Sequence, residues 1–110
     1  MFNQYNIMIA QTPATPYYAV IFTSTRTEGD NGYEAMAEEM DKLAKQQDGF
    51  LGVESARNEL GITVSYWKSI EAIKNWKANT RHLVAQKQGR DAWYAHYKVR
   101  ICKVERDYEF

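Results

Sequence analysis

The chain has 110 residues, 45% hydrophobic and 25% charged, enough for one domain with a single core and too few for two. Acidic and basic residues balance at 14 each and the Lys and Arg residues are scattered, so the sequence carries no electrostatic footprint for nucleic acid. The first residues lack the basic and apolar blocks of a secretory signal, no stretch approaches the roughly 20 apolar residues of a membrane span, and a soluble cytoplasmic protein is the expectation.

Residues 1–16 read as a leader, closed by QTPATP with both prolines of the chain, and their IMIA stretch suits a strand at a sheet edge. The domain proper is expected over 17–110. YYAVIFTST opens it as a strand ending near Ser24, apolar on both faces: Tyr18, Val20 and Phe22 point one way, Tyr17, Ala19 and Ile21 the other. Such a strand must be covered on both sides. After the polar turn TRTEGDNG, Tyr33, Met36, Ala37, Met40, Leu43 and Ala44 recur at spacings of three and four, which predicts an amphipathic helix over 33–47. Asp48-Gly49 stops it, the glycine suiting a left-handed cap.

FLGVESAR then predicts a strand, NELG a turn and ITVSYWK a second strand in hairpin register, with Ile62, Val64 and Tyr66 on one face and Thr63, Ser65 and Trp67 on the other. Ser69 is the expected N-cap of the next helix, Glu71 suits its first turn, and Ile70, Ile73 and Trp76 turn toward the sheet. A break is expected at Asn79-Thr80, followed by a second helical segment over 81–88 that Gly89 ends. The last strand is YKVRICKVERDY; its apolar parity switches from Tyr97, Val99 and Ile101 to Cys102 and Val104, which predicts a bulge near Ile101-Cys102. Cys102, the single cysteine, excludes an intrachain disulfide and a cysteine zinc site, and reads as a small buried hydrophobe.

The resulting order β-α-β-β-α-β is the α+β ferredoxin-like arrangement, an antiparallel sheet with both helices on one face. The opposite face still carries apolar residues, so a second sheet from an identical subunit is expected against it, making a homodimer.

With DGFLGVESAR after the first helix, the strand-to-helix join SYWKSIEAIKNW, the following NTRH and the closing VRICKVERDY, the chain from about Tyr17 to Tyr108 resembles the antibiotic biosynthesis monooxygenase family, whose fold is a dimeric α+β barrel. The resemblance implies a cofactor-free monooxygenase that binds a small phenolic or quinol-like aromatic between sheet and helices and lets the substrate anion react with dioxygen. Such chemistry needs aromatic walls and a group to take a phenolic proton. On that reading Trp67, Trp76 and Phe22 are substrate-binding residues, His82 is the catalytic base because an imidazole titrates near neutrality, and Asn75, Ser65 or Arg90 supply hydrogen bonds. The two tryptophans serve equally as core packing, His82 as a helix-end residue, and His96 reads as structural and partly exposed.

The chain is also similar to the heme-degrading oxygenases of the same superfamily, which use a tryptophan and a later histidine ligand in the second helical region and an asparagine on the first strand. Trp76 fits that tryptophan, but the ligand position falls on Gln86, four residues after His82, and Phe22, Thr23 and Ser24 stand where the asparagine belongs. Heme is therefore the alternative to a cofactor-free site, and a non-catalytic dimeric module for a small aromatic or hydrophobic ligand is a third reading. No metal site and no glycine-rich dinucleotide fingerprint is read.

Overall fold

A computed structural model of the protein describes residues 8–30, 32–86 and 93–110, the side chains of 81–86 excepted. Six elements follow in the order β1 (Tyr17–Arg26), α1 (Tyr33–Gln46), β2 (Phe50–Arg57), β3 (Gly61–Trp67), α2 (Ile70–Gln86) and β4 (Tyr94–Val104). They form one antiparallel sheet in the order β2-β3-β1-β4, the ferredoxin-like α+β topology.

Local chemistry explains the boundaries. Asp30 accepts from the backbone N–H groups of Gly32 at 2.9 Å and Glu34 at 3.2 Å, so an aspartate in the turn satisfies the first free donors of α1. Ser69 does the same for α2, its Oγ accepting from Ala72 N at 3.0 Å. Gly49 adopts φ 88°, a left-handed conformation that turns the chain from α1 into β2. The Asp41–Lys45 pair closes at 2.9 Å, as its four-residue spacing implies, with Lys45 exposed and Asp41 largely buried.

The ladder defines two faces. Across the helix-covered face run four rows of directly opposed residues from β4 to β2: Lys103, Tyr18, Trp67, Phe50; Ile101, Val20, Ser65, Val53; Val99, Phe22, Thr63, Ser55; and Tyr97, Ser24, Gly61, Arg57. Beneath α2, Trp67, Ala72 and Ile73 form one buried cluster with Tyr18, Val20, Phe50 and Trp76 packed around it. Tyr33, Met36 and Ala37 of α1 form a second with Trp93, against which Met40 and Tyr94 pack.

On the other face, Ala19, Ile21, Ile62, Val64 and Tyr66 share one side of the ladder. Ile62 is 42% exposed there. The segments flanking the domain reach over this face. Tyr66 Oη donates to Glu54 Oε1 at 2.6 Å, and the other Glu54 oxygen accepts from Ala10 N at 3.0 Å. Tyr17 Oη accepts from Thr12 at 3.0 Å and donates to Asp107. Burial first, and the Glu54 carboxylate second, push the Tyr66 phenol far above its ordinary value, and the bond to Asp107 raises Tyr17 as well. A raised phenol keeps its proton in the folded chain after the unfolded chain has lost it. The stabilisation is therefore complete below about pH 10 and declines as pH rises beyond it. A spectrophotometric titration should show Tyr66 and Tyr94 among the eight tyrosines ionising only with alkaline unfolding; all eight titrating together near pH 10 would refute the assignment.

Three expectations are corrected. Met8, Ile9 and Ala10 form no strand; instead Ala10 lies over Gly52, tied by its N–H to Glu54, while Ile7 falls outside the described residues. The second helix does not break at Asn79-Thr80. Thr80 Oγ1 bonds back to the Lys77 carbonyl at 3.0 Å and Asn79 reaches Gln47 Oε1 at 3.0 Å, so both polar side chains are satisfied with the helix intact. Gly89 lies outside the described residues. Finally, the ladder runs regularly through Ile101 and Cys102. The irregularity in β4 sits opposite Thr25/Arg26, and the change of apolar parity puts half-buried Cys102 and Val104 on the face of Tyr17 and Ala19, opposite the exposed Val99 and Ile101.

Candidate functional site

A sheet face roofed by helices is ordinarily apolar throughout. Here it is apolar around Trp67 and carries small hydroxyls on β2 and β3 beside the Phe22 group. At one end Trp67 is fully buried, stacked on Trp76 with ring centroids 5.7 Å apart and planes at 26°, and Phe50 meets Trp67 edge-on at 5.4 Å. The indole N–H of Trp67 is satisfied by Ser65 Oγ at 2.9 Å. At the other end Phe22 stacks on Tyr97 at 5.5 Å and meets Tyr94 edge-on at 5.2 Å, and Tyr94 in turn meets Tyr33 at 5.8 Å. Four residues of β1 separate the Tyr18 and Phe22 rows, about 13 Å along the strand.

On β3 and β2, in the Val20 and Phe22 rows, lie small hydroxyl side chains. Ser65, Thr63 and Ser55 are half-buried, and the last two bond each other at 2.9 Å. Beyond them Arg57 reaches across Gly61 to β1, donating from Nη2 to Ser24 Oγ and, in a long 3.5 Å contact, from Nη1 to the Ser24 carbonyl. Ser24 is almost wholly buried. Burial pushes the Tyr94 phenol far above its ordinary value and neighbouring Tyr33 adds to this, while the Arg57 and Arg26 charges act in the opposite sense. Tyr94 is accordingly a neutral phenol. Val99 and Ile101, on the same face in β4, are 43% and 48% exposed, so the floor is open along its β4 side. The arrangement can hold a flat aromatic body against apolar walls and offer it hydroxyls and the Arg57 cation.

The structure brings Trp67 and Trp76 together and puts Phe22 on the same floor, in the second aromatic group. Trp67 has no exposed surface, so it backs Trp76, which is half-buried, as the wall. Asn75 is exposed on α2. His82 lies within the backbone span of α2; its side chain, like the whole of Arg90, is outside the described residues. His96 is exposed and pairs with Thr25 in the row facing away from the helices. Sequence reasoning passed over Arg57, Ser24, Thr63, Ser55 and Tyr94. The signal for the first four was strand parity: Ser24 alternates with Phe22, Ser55 and Arg57 share a face with Val53, and Thr63 and Ser65 share one with Trp67.

Among the described residues, no group of three His, Cys, Asp or Glu side chains is placed to hold a metal ion, and no helix is long and apolar enough to cross a membrane. Comparison with known proteins points one way. Residues 16–88 match the family model described as antibiotic biosynthesis monooxygenase. The chain is 52% identical over 100 residues to the uncharacterized protein YqjZ of Bacillus subtilis (strain 168), covering 89% of this chain and 88% of that one. Among solved structures it resembles SnoaB of Streptomyces nogalater, a cofactor-independent oxygenase, with a TM-score of 0.68 and 12% identity over 84% of this chain and 97% of SnoaB. It also resembles a variant of MhuD crystallised with two manganese protoporphyrin IX bound per active site, with a TM-score of 0.66 and 17% identity over 84% and 99% of the two chains. Both likenesses concern the fold. The family match spans most of the sheet and both helices, and the chain belongs to the antibiotic biosynthesis monooxygenase family.

Proposed function

We propose that the protein is a cofactor-free monooxygenase acting on a flat phenolic or quinol-like aromatic. The observation that supports this reading is the helix-covered sheet face with two aromatic groups, Trp76 on Trp67 and Phe22 with Tyr94 and Tyr97, and hydroxyls of β2 and β3 beside the second. Rings of this kind offer faces on which a flat aromatic substrate stacks. Deprotonation makes the bound aromatic an anion that can pass an electron to dioxygen. Recombination forms a carbon–oxygen bond, and loss of water then leaves one oxygen atom on the ring and the other in the water, with no outside reductant. In this proposal His82 takes the phenolic proton, Trp76 and Phe22 hold the ring, Trp67 backs Trp76, and Asn75 is a hydrogen-bonding group at the rim. The exposed apolar positions of the other sheet face, Ile62 among them, support a homodimer packed sheet to sheet.

Heme is not part of the proposal. Of the three first-strand positions where the heme branch carries its asparagine, Phe22 is committed to the tyrosine stack and Ser24 to Arg57. The test is oxygen uptake with an anthrone-like substrate and with hydroquinones, without added cofactor. Uptake should be matched by oxidised product, and His82→Ala should slow turnover about 100-fold. No uptake above the buffer blank for either class would overturn the oxygenase reading. A Soret shift on heme titration that is lost in His82→Ala would replace it with the heme reading.

A further inference from the structure

Arg57 closes β2 on the helix-covered face, in the row Arg57, Gly61, Ser24. Its guanidinium lies where a side chain at Gly61 would stand; a Cβ built there runs into Cζ and Nη2. Gly61 thus makes a slot through which the cation passes over β3 to Ser24. What the slot holds is only partly satisfied. A guanidinium has five N–H donors, and the described residues offer it Ser24 alone as a hydrogen-bond partner, while Nε is buried without one. No carboxylate among the described residues comes within ion-pair distance of Arg57. A cation drawn into a protein face without a counter-charge is a liability unless something else pairs with it. Ser24, to which Arg57 donates, lies opposite Tyr97, whose ring stacks on Phe22, and this aromatic group is the surface on which an aromatic ligand would stack.

We infer that Arg57 is an anion-binding residue of the cleft, and that the cleft takes flat aromatics bearing a negatively charged oxygen, a ring carboxylate or a phenolate. Ring stacking at the Phe22 end and a planar cation at its side are complementary to such a ligand, because the guanidinium fork matches a carboxylate or a charged ring oxygen. Gly61 and Ser24 are positioning residues: the first leaves the space and the second holds the fork. The inference uses the same cleft as the proposed function and adds to it the charge of what is bound, whether or not turnover follows.

Binding can be read without turnover by quenching of tryptophan fluorescence with three probes of similar shape. Naphthoate and dinitronaphtholate are a carboxylate and a phenolate that are both ionised at neutral pH, and naphthamide is neutral. The wild type should favour one or both anions over naphthamide by about 10-fold, and which anion it favours tells carboxylate from phenolate recognition. Arg57→Met should abolish the preference while changing naphthamide binding by less than about 3-fold. Gly61→Ala, which keeps the charge but fills the slot, should reproduce that loss, and Arg57→Lys should restore part of it. A wild type that binds no probe or shows no preference for an anion overturns the inference, as does an Arg57→Met variant that weakens all three probes equally. Anion preference without oxygen uptake on any substrate leaves the inference standing and removes the oxygenase, whereas oxygen uptake by a cleft indifferent to charge does the reverse.

Discussion

Replacing Trp67 with alanine is expected to lower the stability of the fold by about 4 kcal/mol, the largest effect of any single side chain described here. The indole has no exposed surface, stacks on Trp76, meets Phe50 edge-on and packs on Ala72 and Ile73. Its removal empties the junction between β1, β3 and α2 that Tyr18, Val20, Phe50 and Trp76 surround. A typical domain of this size is stable by about 5–15 kcal/mol, so the variant should retain a small margin or none. Trp67→Phe keeps most of the apolar area but drops the indole N–H that Ser65 accepts, and should lose about 1–2 kcal/mol. Urea unfolding at fixed protein concentration measures both. A loss below about 1.5 kcal/mol for the alanine variant would mean that the site collapses around the gap and that Trp67 is not the keystone of this end of the cleft.

Gly49→Ala should cost about 2–3 kcal/mol by a different route, in which backbone and packing add. At φ 88° an L-residue is strained by about 1–2 kcal/mol. The new Cβ would also stand 2.7 Å from Ala72 Cβ and 2.9 Å from Lys68 Cγ. Lys68 is a flexible exposed chain, but Ala72 is buried in the first turn of α2 and cannot retreat without lifting the helix from Trp67. Gly32 is the natural control. It has φ 81° with open space around its missing Cβ, so Gly32→Ala should carry the backbone term alone, about 1 kcal/mol. The difference between the two variants, read from urea unfolding, isolates the contact with α2. Equal losses would show that α2 accommodates the methyl group.

Much of the architecture is legible in the residues because two short-range rules carry it. Alternation set the faces of 17–22 and 62–67 correctly, so Tyr66 and Trp67 do look in opposite directions. The spacing of Tyr33, Met36 and Ala37 identified the buried side of α1, and Ser69 marked the start of α2. The misreadings arise where a local signal had a distant partner. Asn79-Thr80 looks like a helix break until Gln47, 32 positions earlier, is seen to accept from Asn79. The parity change in β4 looks like a bulge until the pairing with β1 is seen to run unbroken through Ile101 and Cys102.

The candidate site divides the same way. Its aromatic members, Trp67, Trp76 and Phe22, stand out in the sequence because tryptophan is rare and their strands and helix are strongly patterned. Its polar members do not. Ser24, Ser55, Arg57 and Thr63 look like ordinary solvent-side residues of a half-exposed strand, because nothing local tells which face the helices will cover. The sequence by itself determined the six elements, their order and the alternation of β1 and β3, since these depend on contacts within a few residues. Only the tertiary structure decided that a serine on β1, a glycine on β3 and an arginine on β2 fall in one row beside the Phe22 aromatic group. That row depends on strand register across the sheet, which side-chain chemistry along the chain does not specify.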